Sequence, residues 1–231
     1  MYSFKSFITE LTLTLKYHDK LNPALWHEDK LEEKNIKFLL DHALKFVSFS
    51  GVNKKHIKDV VFTGSSANFN YTKFSDVDVH ILVEGVDTKS DMLYDKKTKW
   101  TEKHKLKLSG YPVEYYIQDN HEHFPEGQGV FSLMQNKWLV KPTHLKKINA
   151  LFKDPKTIAK IEFDIKYVKS LIAKGTVETI TAFKDKMYKL RTAGLNKEGE
   201  FSIENIVYKD LRNRGLIDRL NKKLETLKNK G

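Results

Sequence analysis

The sequence predicts an α+β protein: a small mixed β-sheet flanked by helices, followed by a basic helical C-terminal region. Three observations predict it. Apolar residues recur at helical spacing between Leu31 and Val47. Three short strand-like runs lie between Asp59 and Ile117, two of them alternating polar and apolar residues as half-buried strands do. From Pro155 onward the spacing is helical again and the charge turns basic. The expected division is a sheet domain with N-terminal helices over 1–150 and a helical domain over 151–231, joined within Pro142–Pro155.

In the first helix, Leu31, Ile36, Leu39, Leu40, Ala43, Phe46 and Val47 make the apolar stripe, and Gly51 can stop it. The first strand is Asp59-Val60-Val61-Phe62-Thr63, ending at Gly64, and a small-polar turn region, Ser65 to Ser75, follows. In the second strand, Val77, Val79, Ile81 and Val83 face the core, which leaves Asp76, Asp78 and His80 on the opposite face. A Lys-rich, partly helical stretch then runs from Gly85 to about Lys107. In the third strand Val113, Tyr115 and Ile117 share one face, Glu114 and Tyr116 the other, and Asp119 reads as a strand end. Val130 to Val140 reads as a hairpin turning near Gln135-Asn136. Beyond Pro155, Val177, Ile180, Phe183, Met187 and Leu190 form a stripe with Gly194 as its expected C-cap. Ser202 can cap a further helix carrying Ile203, Ile206, Val207 and Leu211, with an interruption at Gly215.

Composition narrows the function classes. The 231 residues are enough for one sizeable domain or two small ones. No run approaches the roughly 18 consecutive apolar residues of a membrane span, and the N-terminus lacks the pattern of a secretory signal. The absence of cysteine excludes disulfides, thiolate zinc sites and cysteine nucleophiles, and is compatible with the cytoplasm. The net charge of +11 suggests a polyanionic partner: nucleic acid, nucleotide phosphates or a membrane surface. From Pro155 to the end there are 18 basic and 10 acidic residues, so most of the excess lies in the last third.

The chemistry concentrates between Phe62 and His80. Asp76 and Asp78, two apart on a strand, aim their carboxylates the same way and repel each other unless a cation lies between them. Magnesium is the natural neutraliser, because it prefers hard oxygen ligands and binds through a few carboxylates plus substrate phosphates. Gly64 allows close backbone approach, and backbone N–H groups with the Ser65 hydroxyl can hold phosphate oxygens. Ser66 is nearly as good a phosphate ligand, or else caps a short helix after the turn. His80 shares the aspartate face, as a substrate contact or a structural hydrogen bond. His121-Glu122-His123 lacks zinc-ligand spacing and reads as a polar loop. Tyr115, Tyr116 and Trp138 can stack on a base or pack.

The segment resembles the signature of the DNA polymerase β-like nucleotidyltransferase superfamily: a hydrophobic residue, Gly-Ser, a spacer of about ten residues, then Asp-hydrophobic-Asp-hydrophobic. Here these are Gly64-Ser65, the spacer Ser66 to Ser75, and Asp76-Val77-Asp78-Val79; Val113-Glu114-Tyr115 matches the family's third strand carboxylate. The match covers roughly Val60 to Asp119. The wider chain, through Leu21 to Trp26, Phe131 to Trp138 and Gly199 to Asn205, also resembles phage-type predicted nucleotidyltransferases, which implies a host cytoplasmic location.

The resemblance implies a nucleotidyltransferase palm over 1–150. It implies two magnesium ions, replaceable by manganese, held by Asp76, Asp78 and Glu114, and a nucleoside triphosphate held at Gly64, Ser65 and Ser66. Two ions about 3.5–4 Å apart stabilise the attacking and leaving oxygens of an in-line displacement. In the superfamily a neighbouring helical region often supplies a cation to the triphosphate; Lys184 and Lys189 are the candidates here, with Lys186 and Arg191 beside them and Arg212, Arg214 and Arg219 as a second basic group. The basic helices favour RNA or tRNA as the acceptor. A protein acceptor, or a catalytically silent nucleotide- or RNA-binding protein on the same fold, are the alternatives.

Overall fold

A computed structural model describes residues 14–15, 17–124, 127–143 and 154–229, and divides the chain into Tyr17–Leu145 and a second unit of Met1–Lys16 with Lys146–Gly231. Most of the expected junction, Pro142–Pro155, lies outside the described residues.

The first unit is built on a six-stranded mixed sheet. Its elements are β1 (Trp26–His27), β2 (Lys30–Leu31), α1 (Glu33–Ser50), β3 (Ile57–Thr63), β4 (Val77–Val83), α2 (Asp91–His104), β5 (Lys107–Leu108), β6 (Tyr111–Asp119), β7 (Val130–Ser132) and β8 (Lys137–Val140). β1 and β2 pair with each other; the others run in the order β5-β6-β4-β3-β7-β8. All neighbours are antiparallel except β4 and β6. A parallel pair needs a crossover, and α2 lies within it, in the Lys-rich stretch expected to be partly helical.

The alternation in β4 works as expected. Val77, Val79, Ile81 and Val83 are fully buried in a core with Val113 and Tyr115 of β6, Val60 and Phe62 of β3, and Leu39, Ala43, Phe46 and Val47 of α1. Those four α1 residues lie at helical spacing, so one stripe of α1 is buried with the apolar face of the sheet. Gly51, at φ 83°, closes α1. Trp100 of α2 joins the same core beside Phe46 and Phe49. The opposite face carries Asp78, His80, Glu114 and Tyr116, with a small apolar cluster of Val61, Leu82, Val130 and Phe124. The hairpin β7–β8 turns through Asn136, which adopts φ 49°.

The second unit consists, among its described residues, of α3 (Pro155–Lys174), α4 (Val177–Glu198), α5 (Ile203–Asn213), α6 (Leu216–Lys228) and the segment at Thr14 and Leu15. Its core joins Ile161, Ile165 and Val168 of α3, Ile180 of α4, Ile206 and Leu211 of α5, Leu216, Leu220 and Leu224 of α6, and Leu15. Asp210, fully buried, ties the unit together. It accepts the Thr14 N–H and hydroxyl at 2.9 and 2.7 Å, and Arg214 Nε at 2.5 Å. Gly215, at φ 67°, separates α5 from α6 as expected.

Three helical expectations need correction. Gly194 does not cap α4: the helix continues to Glu198 and ends at Gly199, φ 73°. Gly194 is buried inside the helix, where an added Cβ would lie 2.8 Å from Ser202 Oγ and 2.9 Å from Glu204 Oε2. The glycine therefore marks close packing, not a helix end. Ser202 precedes α5 at the N-cap position but makes no side-chain cap bond; its buried hydroxyl has no partner. The α4 stripe is also only partly core: Ile180 is buried, whereas Phe183, Met187 and Leu190 line an open groove of about 570 Å³ with Phe163 and Tyr167.

Candidate active site

β3 delivers the chain to a turn that only glycine tolerates. Gly64 adopts φ 76°, ψ −165°, a region closed to residues with a Cβ. A Cβ there would stand 2.1 Å from Asp78 Oδ2, so the Asp78 carboxylate lies directly against the Gly64 backbone. Ser65–Ala67 then form one 3-10 turn. Cross-links fix this loop. Ser65 Oγ and Ser75 Oγ are 2.9 Å apart, Ser75 Oγ accepts the Thr72 N–H at 2.9 Å, and Trp26 Nε1 donates to the Ser66 carbonyl at 2.8 Å. The spacer is thereby closed on itself at its two ends, immediately before Asp76. Ser66 is fully buried and its hydroxyl has no partner, so it does not cap the turn; Gly64 holds the N-cap position.

Register brings two carboxylates together. In the parallel pair β4–β6, Asp78 is the partner of Glu114 and His80 of Tyr116. Adjacent strands lie about 4.8 Å apart, so the Asp78 and Glu114 side chains rise side by side from one face. Asp76 stands one residue before β4 and is half-buried. Thr63, across β3, is the partner of Asp78 and is held by Gln128 and the Gly129 carbonyl.

Tyr116 reports on all three acids. Burial pushes its phenol far above the usual tyrosine range, and the charges of Asp78, Glu114 and Asp76 push it further. It therefore stays protonated and donates to Glu114 Oε2 at 2.6 Å. Lys97 of α2 reaches the same oxygen at 2.8 Å and lies 4.0 Å from the Tyr116 ring centre. His80 stacks on Tyr116, with centroids 4.7 Å apart, and its Nδ1 is hydrogen-bonded to Gln118. Burial lowers the His80 imidazole to about 4, against the opposing Gln118 bond and helped by Lys97, so it is neutral at pH 7.

The donor set suits a hard divalent cation in kind: carboxylate oxygens on one strand face, next to a backbone that carries no Cβ. It is not preassembled. Among the described residues no three acidic or histidine side chains gather around a common point, and Glu114 is engaged by Lys97 and Tyr116.

Other expected residues fall elsewhere. Tyr115 is a core residue, 1% exposed and bonded through its hydroxyl to the Leu39 carbonyl, so it is no platform for a base. Trp138 stacks on Trp26 at 4.8 Å and donates to the Asp29 carbonyl. His121-Glu122-His123 is a loop, as expected. Lys184 and Lys189 stand on α4 of the helical unit. Two arginines of the basic groups have structural duties there: Arg214 on Asp210, and Arg191 on Asn205 and over the Tyr208 ring. A cleft of about 1110 Å³ in the sheet unit is lined by His18, Trp26, Phe69, Tyr71 and Trp138 and by none of the three carboxylates. No helix among the described residues is long and apolar enough to cross a membrane.

Lys97 was not singled out by sequence reasoning, although a signal existed. It lies four residues after Leu93 and three before Trp100, the two buried residues of α2, and so shares their helix face.

Comparison with known proteins places these observations. The search of curated proteins returned no match. Among solved structures the chain is similar to a STING-associated CdnE c-di-GMP synthase from Capnocytophaga granulosa, at 12% identity over 87% of this chain and 84% of that one, with a TM-score of 0.21. Residues 40–181, more than half of the chain, match the nucleotidyltransferase domain family. They contain the Gly64 turn and the strand pair bearing Asp78 and Glu114, and the chain belongs to that nucleotidyltransferase family.

Proposed function

We propose that this nucleotidyltransferase moves a nucleoside monophosphate from a nucleoside triphosphate to an acceptor hydroxyl, with RNA or tRNA as the favoured acceptor. The observation that carries the reading is the pairing of Asp78 with Glu114 beside the Gly64 turn. Asp76, Asp78 and Glu114 are the residues that would hold two magnesium ions. When bound, such ions screen the triphosphate charge and favour ionisation of the acceptor hydroxyl.

The chain's own residues supply the rest. Gly64 and Ser65 receive the triphosphate through backbone N–H groups, which the fixed 3-10 turn keeps in place. Ser66 contributes its backbone, since its side chain is fully buried. Tyr116, protonated, orients Glu114 by donating to it. Neutral His80 buttresses Tyr116 by stacking. The acceptor oxygen attacks the α-phosphorus, its proton leaves to solvent or a carboxylate, and the bond to the β-phosphate breaks to release pyrophosphate. Lys184 and Lys189 of the helical unit are five residues apart, about 140° around α4, so a single anionic group is served by one of them.

The test is a transfer assay with each labelled nucleoside triphosphate against total RNA, tRNA and a protein extract. Labelled RNA is expected, and the double variant Asp76→Ala/Asp78→Ala is expected to lose at least about 100-fold in rate. Equal transfer by that variant would remove the site assignment. Label confined to protein would move the acceptor class.

A further inference from the structure

Lys97 is the cation of this sheet face that the reading above leaves without a role. Because it shares a helix face with Leu93 and Trp100, its side chain runs inward along the packed side of α2 and is 24% exposed. Its ammonium lies 2.8 Å from Glu114 Oε2, the oxygen that also accepts the Tyr116 hydroxyl at 2.6 Å. That oxygen thus serves two donors at once. A divalent cation at the same oxygen would sit about 2.1 Å from it, beside a full positive charge, in a partly desolvated place where repulsion is strong.

We propose that Lys97 is the resident counter-ion of Glu114: it neutralises the carboxylate in the nucleotide-free protein and must withdraw before Glu114 can serve a divalent cation. This rests on the reading of Glu114 as a metal ligand. Two features fit Lys97 for the role. Its four-carbon stem is flexible and its charge compact, so the ammonium can leave without moving α2. In this same position the ammonium also lies 4.0 Å from the Tyr116 ring centre, so cation–π attraction helps to hold it beside Glu114 until it is displaced. An incoming triphosphate offers it acceptor oxygens, which couples cation uptake at Glu114 to nucleotide arrival. Lys97 is on this account a positioning residue, acting through Glu114.

The experiment is a titration of the full chain with Mn²⁺ alone, without nucleotide, following free Mn²⁺ by electron paramagnetic resonance. Lys97→Met removes the charge at nearly constant length, and Lys97→Gln repeats the neutralisation with a polar side chain should the first variant fold poorly. Either is expected to bind Mn²⁺ about tenfold more tightly than wild type, equivalent to about 1.4 kcal/mol. Lys97→Arg, which keeps the charge, is expected to match wild type, and adding Glu114→Gln to Lys97→Met is expected to abolish the gain. If Glu114→Gln weakens Mn²⁺ binding while the neutral Lys97 variants leave it unchanged, the counter-ion role is overturned and the ligand reading stands. If Glu114→Gln binds as wild type in both backgrounds, or no variant binds, both fall.

Discussion

Gly64 shows how one residue can set the chemistry of a site. Its φ of 76° and the 2.1 Å approach of Asp78 Oδ2 to the place of a Cβ are separate reasons against any side chain. Gly64→Ala is expected to cost about 1–3 kcal/mol of stability through backbone strain and to displace the Asp78 carboxylate. Transfer activity should then fall at least as far as in Asp78→Ala. Denaturant unfolding and a transfer assay on the same preparation check it: a variant of wild-type activity would show that Asp78 need not lie against this backbone. The polar-face position of Asp78 was legible because alternation along a strand fixes it, whereas Asp76, expected on the same strand, stands one residue before β4. Lys97 was hidden by its neighbours. In a helix with Lys96, Lys99 and Lys103, one inward lysine reads as part of a solvated face unless its spacing from Leu93 and Trp100 is measured.

Elements were legible where one physical signal dominated. β4 followed from alternation and α1 from a 3.6-residue stripe, except that Leu31, expected in that helix, lies in β2 and α1 starts at Glu33. The sheet order did not, because nothing local in Val77–Val83 says that it pairs parallel with Tyr111–Asp119. Gly194 misled because glycine has two uses: it ends helices, and it lets another chain segment approach closely. Gly194→Ala is therefore expected to destabilise the helical unit by about 1–3 kcal/mol through overpacking against Ser202 and Glu204, where a helix-favouring substitution at a cap would be milder. A thermal melt that rises would contradict this. The N-termini of α3 and α4 are capped by their own sequences. Asp154 accepts the Thr157 N–H, and Thr176 forms a reciprocal capping box with Thr179. Thr176→Ala should cost about 1 kcal/mol. Asp154 titrates below the usual aspartate range, chiefly through the Thr157 backbone bond. A lowered folded pKa means stability present above the unfolded value of about 3.9 and lost as pH falls through the folded one. Asp154→Ala should thus lower the melting temperature at pH 7, by an amount that shrinks as the pH drops below about 4.

At the scale of the whole molecule, charge is the property that sequence reading and structure share most directly. The last third, from Pro155, carries 18 basic and 10 acidic residues. Some cations are engaged inside the helical unit: Arg214 with Asp210, Lys209 with Glu200, and Lys160 with Asp164. Each such pair also takes up one acid, so pairing leaves the surplus of eight positive charges in this region intact. Lys186 and Lys189 are exposed, three residues apart on α4, and stand on neighbouring positions of its surface. A polyanion held by such a surface releases counter-ions, and for single strands the logarithm of the binding constant falls by about 0.7 per phosphate contacted for each unit of log salt. Binding of a short RNA is therefore expected to weaken steeply between low and physiological salt, with a slope of roughly −3 or steeper if four or more phosphates are engaged. Lys186→Glu/Lys189→Glu should flatten that slope by about one to two while leaving the melting temperature unchanged, because neither side chain is in the core. The same variant should retain Mn²⁺ binding at the carboxylates, because neither lysine is among the proposed metal ligands. A slope near zero in the wild type would mean that the positive helices do not hold RNA, and the acceptor would then have to be recognised by the sheet unit alone.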